Sequence, residues 1–128
     1  MGIYERKAIV LADKYGTANP FEICKIMGIT IEYTELDNPL GDTIYLNKSP
    51  IIILSDKIQE KSKKYLICAH ELGHVVLHNG IQNYYLINRT TKRKMESEAD
   101  RFALGLLNKF SVDEFGVSYE YFVSGDYI

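Results

Sequence analysis

Hydrophobic side chains recur at helical spacing from Ile3 through residue 14, and Gly16 closes that segment. A second, shorter helix is predicted in "TANPFEICKIMG", with Asn19 as N-cap, Pro20 in the first helical position and Gly28 as a left-handed stop. The period then changes from helical to alternating. "ITIEYTEL" from Ile29, "DTIYLN" from Asp42 and "IIILSD" from Ile51 read as three strands, with "KSP" and its Pro50 as the turn between the last two. From about Lys57 helical spacing returns and runs to His78, with Gly80 as terminator. A loop, "IQNYYLINRTT", with "YYLI" as a candidate short strand, leads to another helix from about Lys92 to Phe110, and one more short helix is expected beyond it. Three successive strands flanked by helices predict an α+β fold, a small three-stranded sheet covered by helices on one face. With no repeat, low-complexity tract or linker in view, residues 1–128 are expected to form a single domain.

Composition narrows the function more than the fold. Hydrophobic residues at 46% and charged residues at 25% fit a soluble globular protein and not a disordered tail. Fifteen basic against seventeen acidic side chains leave a net charge of −2, so no direct nucleic-acid or membrane binding is expected. The basic clusters "KSKK" (61–64) and "KRK" (92–94) read as solvated helix faces. "MGIYERKAIV" carries charges where a signal peptide needs its apolar stretch, and the run "IIIL" is far too short to span a bilayer. A cytoplasmic protein is therefore expected. Cys24 and Cys68 are unpatterned and expected as reduced thiols; Cys68, although near the histidines, reads as a small apolar residue on the buried side of its helix.

The chemistry concentrates in "HELGHVVLH", residues 70–78. His70 and His74 lie four apart, on one helix face with a rise of about 6 Å, so both imidazoles can converge on one ion. Zinc takes histidine nitrogen readily, and in hydrolytic sites has three protein ligands plus a water. Glu71, turned by about 100° from His70, stands where it can accept a proton from that water. The pattern H-E-x-x-H alone arises by chance in roughly a few in a thousand chains of this length, so a third ligand is needed. His78 is a poor one, lying about 12 Å along the axis from His70; it reads as a helix-end residue that suits the C-terminal dipole.

The better source is "ESEADRFALGLL", 96–107. Ala99, Phe102, Ala103, Leu106 and Leu107 share a core-facing stripe, and Glu96 and Asp100 stand together on one border of it. Acidic groups bordering a buried stripe are costly unless paired. A metal bound by Glu96, with Asp100 hydrogen-bonded to a ligand histidine, satisfies both. Glu98, turned farther away, reads as part of a solvated acidic helix start. The ligand set is then His70, His74 and Glu96, with Asp100 behind a histidine and one zinc ion per chain; iron, cobalt or manganese are alternative occupants.

"HELGHVVLH" followed by "ESEADRFALGLL" resembles the ImmA/IrrE family of metallopeptidases, whose zinc helix is followed by a helix of the form E-x-x-A-[ND]-x-F-A. "PFEICKIMGI", "DTIYLNKSPIIIL" and the lead-in "YLICAHELGH" extend the likeness over roughly residues 18–110. The resemblance implies a zincin-like core of the gluzincin kind with H-E-x-x-H on a central helix, zinc held by two histidines and a glutamate, and regulatory proteolysis. Family members commonly come from mobile elements (prophages among them) or stress-response loci, and cleave a helix-turn-helix repressor encoded nearby. Two departures stand out: "LLNKF" replaces the methionine-proline pair many members carry, and the longer C-terminal segment of many relatives is absent from this sequence.

The expected activity is that of a zinc endopeptidase with Glu71 as general base. Tyr84, Tyr85 and Arg89 are candidate oxyanion donors, and "IIILS" is expected to be the outer strand on which an extended substrate lies. The alternative of another class is a metal-dependent regulator that binds a repressor or DNA-associated partner without cutting it, against which the Glu71 carboxylate argues. A structural zinc domain would need a closed, cysteine-rich site, which the sequence does not offer.

Overall fold

The computed structural model describes residues 1–79 and 88–124. The first helix, α1, spans Ile3–Tyr15, and α2 spans Pro20–Met27. Asn19 caps α2 as its sequence predicts, its Oδ1 accepting from the Phe21 N–H at 3.0 Å. Both helices end in left-handed glycines, Gly16 and Gly28.

Three strands follow: β1 (Thr30–Thr34), β2 (Gly41–Leu46) and β3 (Ser49–Ser55). The order in the sheet is β1-β3-β2, with β1 parallel and β2 antiparallel to β3. This overturns the expectation for "IIILS": β3 is the central strand, hydrogen-bonded on both sides, and has no edge to offer a substrate. Its near-continuous aliphatic run suits that position. The turn also differs from the expected "KSP". Asn47 and Lys48 form it, with φ of 51° and 67°, the backbone of a two-residue hairpin matched to strand twist. Pro50 lies within β3 opposite Tyr45, one residue before pairing with β1 begins at Ile51, so that side of the strand has no ladder bond for its missing N–H to break.

Residues in register share a face. Ile31, Ile52 and Thr43 point one way with Tyr33, Leu54 and Gly41; Ile52 and Leu54 join the core while Glu32, Asp42 and Ile44 on the other face are exposed. A 3-10 turn (Asp56–Ile58) occupies part of the stretch expected to open the next helix, because Ser55 Oγ accepts from the Lys57 N–H and starts a tighter turn there. The helix itself, α3, runs Lys63–His78 and carries all three histidines. Helix α4 spans Arg89–Phe115, longer at both ends than predicted, capped by Asn88 accepting from the Thr91 N–H, and α5 spans Tyr119–Ser124. Gly80 and "YYLI" lie outside the described residues.

One hydrophobic cluster joins these elements, with Ile23, Ile52, Leu54, Leu72, Phe102 and Leu106 fully buried within it. Burying each such side chain contributes roughly 1.5–3 kcal/mol. Cys24 and Cys68 belong to the same cluster, both free and fully buried. Burial, with Cys24 alongside, holds the Cys68 thiol well above its ordinary pKa. That places Cys68 in the core and not among the metal-ligand candidates. Among the described residues no helix is long and apolar enough to cross a membrane.

Candidate metal centre

Helices α3 and α4 cross where Gly73 faces Ala99. A Cβ at residue 73 would stand 3.2 Å from the Ala99 carbonyl oxygen and 3.1 Å from the Phe102 ring. The glycine of "HELGH" thus lets the α4 backbone lie against α3, and this brings Glu96 over the histidine pair.

There, His70 Nε2 and His74 Nε2 are 3.2 Å apart, and the Glu96 carboxylate lies 3.3 Å from the first and 2.6 Å from the second. A tetrahedral site with zinc–nitrogen bonds of roughly 2.0–2.1 Å separates neighbouring ligand atoms by about 3.3 Å. Two of the three separations match that spacing; the third has closed to the length of a charge-assisted hydrogen bond. The donor set, two imidazoles and a carboxylate, suits zinc or another borderline divalent ion.

Behind the first histidine, Asp100 Oδ1 accepts from His70 Nδ1–H at 2.7 Å. A neutral ring protonated at Nδ1 presents its Nε2 lone pair to the other two groups. Burial alone would depress the His70 pKa, but Glu96, Glu71 and Asp100 outweigh it, and the net direction is upward. Negative charge here therefore favours a cation, whether a proton or a metal ion.

Glu71 is 7% exposed and accepts a 2.7 Å hydrogen bond from Thr43 Oγ1 of β2. Burial raises its pKa, and the Thr43 hydroxyl and the two histidines draw it partly back. A carboxylate in such a setting has the basicity to take up and release a proton.

His78 is the last residue of α3, the helix-end position its sequence predicts, whereas the reading of Glu98 as solvated is corrected. His78 is 7% exposed, its Nδ1 3.1 Å from His74 Nδ1 and its Nε2 2.9 Å from Glu98 Oε1. The Glu98 side chain is 14% exposed, not solvated, and it also accepts from the Tyr4 hydroxyl of α1. Burial alone would raise the Glu98 pKa, but the bonds from Tyr4 and His78 outweigh it and hold it down; burial lowers that of His78 in spite of Glu98. Sequence reasoning also missed Thr43, since strand register relative to a helix leaves no local signal. For His78 a signal existed: it continues the four-residue ladder from His70 and His74. Of the candidate oxyanion donors, Arg89 is exposed at the first turn of α4, and Tyr84 and Tyr85 lie outside the described residues.

Comparison with known proteins places this geometry in context. The IrrE N-terminal-like domain, peptidase family M78, matches residues 24–108. An uncharacterized immunity region protein 2 of Bacillus phage phi105 is 30% identical over 100 residues, covering 76% of this chain and 63% of that protein. The metallopeptidase ImmA of Bacillus subtilis strain 168 is 32% identical over 101 residues, covering 73% of this chain and 56% of its own length. The chain thus spans about three-fifths of the length of these curated relatives.

Proposed function

Because the chain belongs to the ImmA/IrrE family of metallopeptidases, we propose that it is a zinc-dependent endopeptidase in which His70, His74 and Glu96 hold the ion. The observation that carries this reading is the convergence of two imidazole Nε2 atoms and a carboxylate, all within 4.8 Å of one another. Such a cluster is repulsive without a cation at its centre.

When bound, the ion supplies Lewis acidity, polarising a scissile carbonyl and making water a usable nucleophile near neutral pH. The chain's own groups do the rest. Glu71 takes a proton from the attacking water and returns it to the leaving amine. The Thr43 hydroxyl fixes the orientation of that carboxylate from the sheet side. Asp100 holds the His70 ring; its replacement, Asp100→Ala, is expected to weaken zinc binding about 10–100-fold. Because this side chain is 68% exposed, the melting temperature of the metal-free protein should hardly move, and titration with a competing chelator measures the affinity loss.

The substrate is one partner protein, a helix-turn-helix repressor encoded next to this gene, as the family's habits and the phage immunity relative suggest. Residues 1–128 act in this reading as one zincin-like domain in the cytoplasm. Thr43 ties the general base to β2, an edge strand of the sheet among the described residues, so an extended substrate segment adds along β2. Co-expression with the neighbouring repressor, followed by mass spectrometry, should yield one defined fragment pair. Efficient digestion of unrelated unfolded proteins such as casein would count against this narrow scope.

A further inference from the structure

The family match begins at residue 24, so α1 lies outside it, yet α1 sends one side chain toward the metal centre. The Tyr4 hydroxyl donates to Glu98 Oε2, Glu98 Oε1 meets His78 Nε2 at 2.9 Å, and His78 Nδ1 meets His74 Nδ1 at 3.1 Å. Proton counting fixes the roles. An ionised carboxylate only accepts, so the proton in the Glu98–His78 contact is on His78 Nε2. A neutral His78 then has a bare Nδ1, and the proton between the two rings belongs to His74 Nδ1. With a metal ion in place of the proton that the 2.6 Å contact between His74 Nε2 and Glu96 otherwise holds, a His74 protonated at Nδ1 directs its Nε2 lone pair to the site it shares with His70 and Glu96.

We propose that Tyr4, Glu98 and His78 are positioning residues that fix the tautomer and ring orientation of His74, three groups performing for this histidine what Asp100 alone performs for His70. The proposal rests on the reading of His74 as a metal ligand. A second, independent feature holds the chain of contacts together. Gly105 lies on α4 two turns beyond Glu98, and a Cβ there would fall 2.6 Å from the Glu5 Cα and 2.7 Å from its carbonyl oxygen. The α1 backbone is therefore seated directly on α4 at Glu5, which sets the neighbouring Tyr4 beside Glu98. Both inner members are well enclosed, His78 at 7% and the Glu98 side chain at 14% exposure, so the contacts face little competition from water.

The test uses the full chain with ¹⁵N-labelled histidine, loaded with zinc. Wild type should bind one equivalent and show a slowly exchanging His74 Nδ1 proton, with a ¹⁵N–¹⁵N coupling to His78 Nδ1 across the hydrogen bond. His78→Leu should lose that proton signal and about 10–100-fold in zinc affinity. His78→Asn, whose amide oxygen can accept the same proton, should keep the signal and bind within a few-fold of wild type. Should His78→Leu not fold, Tyr4→Phe serves: it keeps the ring and removes one donor to Glu98, so the His78 Nε2–H resonance should shift and affinity fall a few-fold. A zinc-loaded wild type without the coupling, or variants with unchanged affinity and spectra, overturns the relay while leaving the metal site standing. A folded wild type that takes up no zinc removes the metal reading itself, and the relay with it.

Discussion

Glu71→Gln should leave fold and zinc affinity in place and lower cleavage of the proposed partner repressor by at least about 10²-fold, the scale associated with a lost general base. The reasoning is local. Glutamine has the same shape and still accepts from the Thr43 hydroxyl, so the contact that holds residue 71 against β2 survives. The substitution removes only the capacity to take a proton. Residue 71 is not among the converging ligand atoms, so elemental analysis should find the same metal content in both proteins. Cleavage followed by mass spectrometry of the repressor provides the second readout. Full cleavage by this variant removes Glu71 as the general base, whereas a wild type that binds its partner tightly without cutting it favours a non-cleaving regulator.

His74→Ala and His70→Ala should each abolish stoichiometric metal binding, a loss larger than the ~10–100-fold expected on removing Asp100. Two ligands cannot close around the ion as three do. The two variants should differ in stability before any metal is added. His74 is 7% exposed and contacts both His70 and His78, so its truncation leaves a cavity and an unpaired buried His78 nitrogen. His70 is less enclosed, and its outer partner Asp100 can turn to water. The metal-free His74→Ala protein should therefore melt lower than His70→Ala, by an amount calorimetry can resolve. Elemental analysis showing one equivalent of zinc retained in either variant would falsify the assigned ligand set.

Much of the fold was legible because local rules govern local features. Asn19, Pro20 and Gly28 bracket α2, and each acts through groups within a few residues of itself. The acidic helix was legible through its stripe, which placed Glu96 and Asp100 together on one border. Long-range relations were not legible. Nothing within "IIIL" states how many neighbours the strand has, although an unbroken aliphatic run is what a central strand carries. The register that brings Thr43 to Glu71 spans 28 residues, and the one that brings Tyr4 to Glu98 spans 94. Glu98 was misjudged for the same reason. Helical phase says which side of α4 it occupies, but not that α1 and the end of α3 wait on that side.

The contact at Gly73 has a consequence for how this centre can change. The histidines ride on one helix and Glu96 on the other, so the gap between the two halves of the proposed ligand set is that of a caliper whose pivot is backbone against backbone. Its opening is set by the absence of a methyl group, not by any side chain that would touch the ion. Exchanging a ligand alters what grips the metal, whereas adding one carbon at residue 73 would alter how wide the jaws stand. Such a centre can be loosened from a position that carries no charge, no lone pair and no proton.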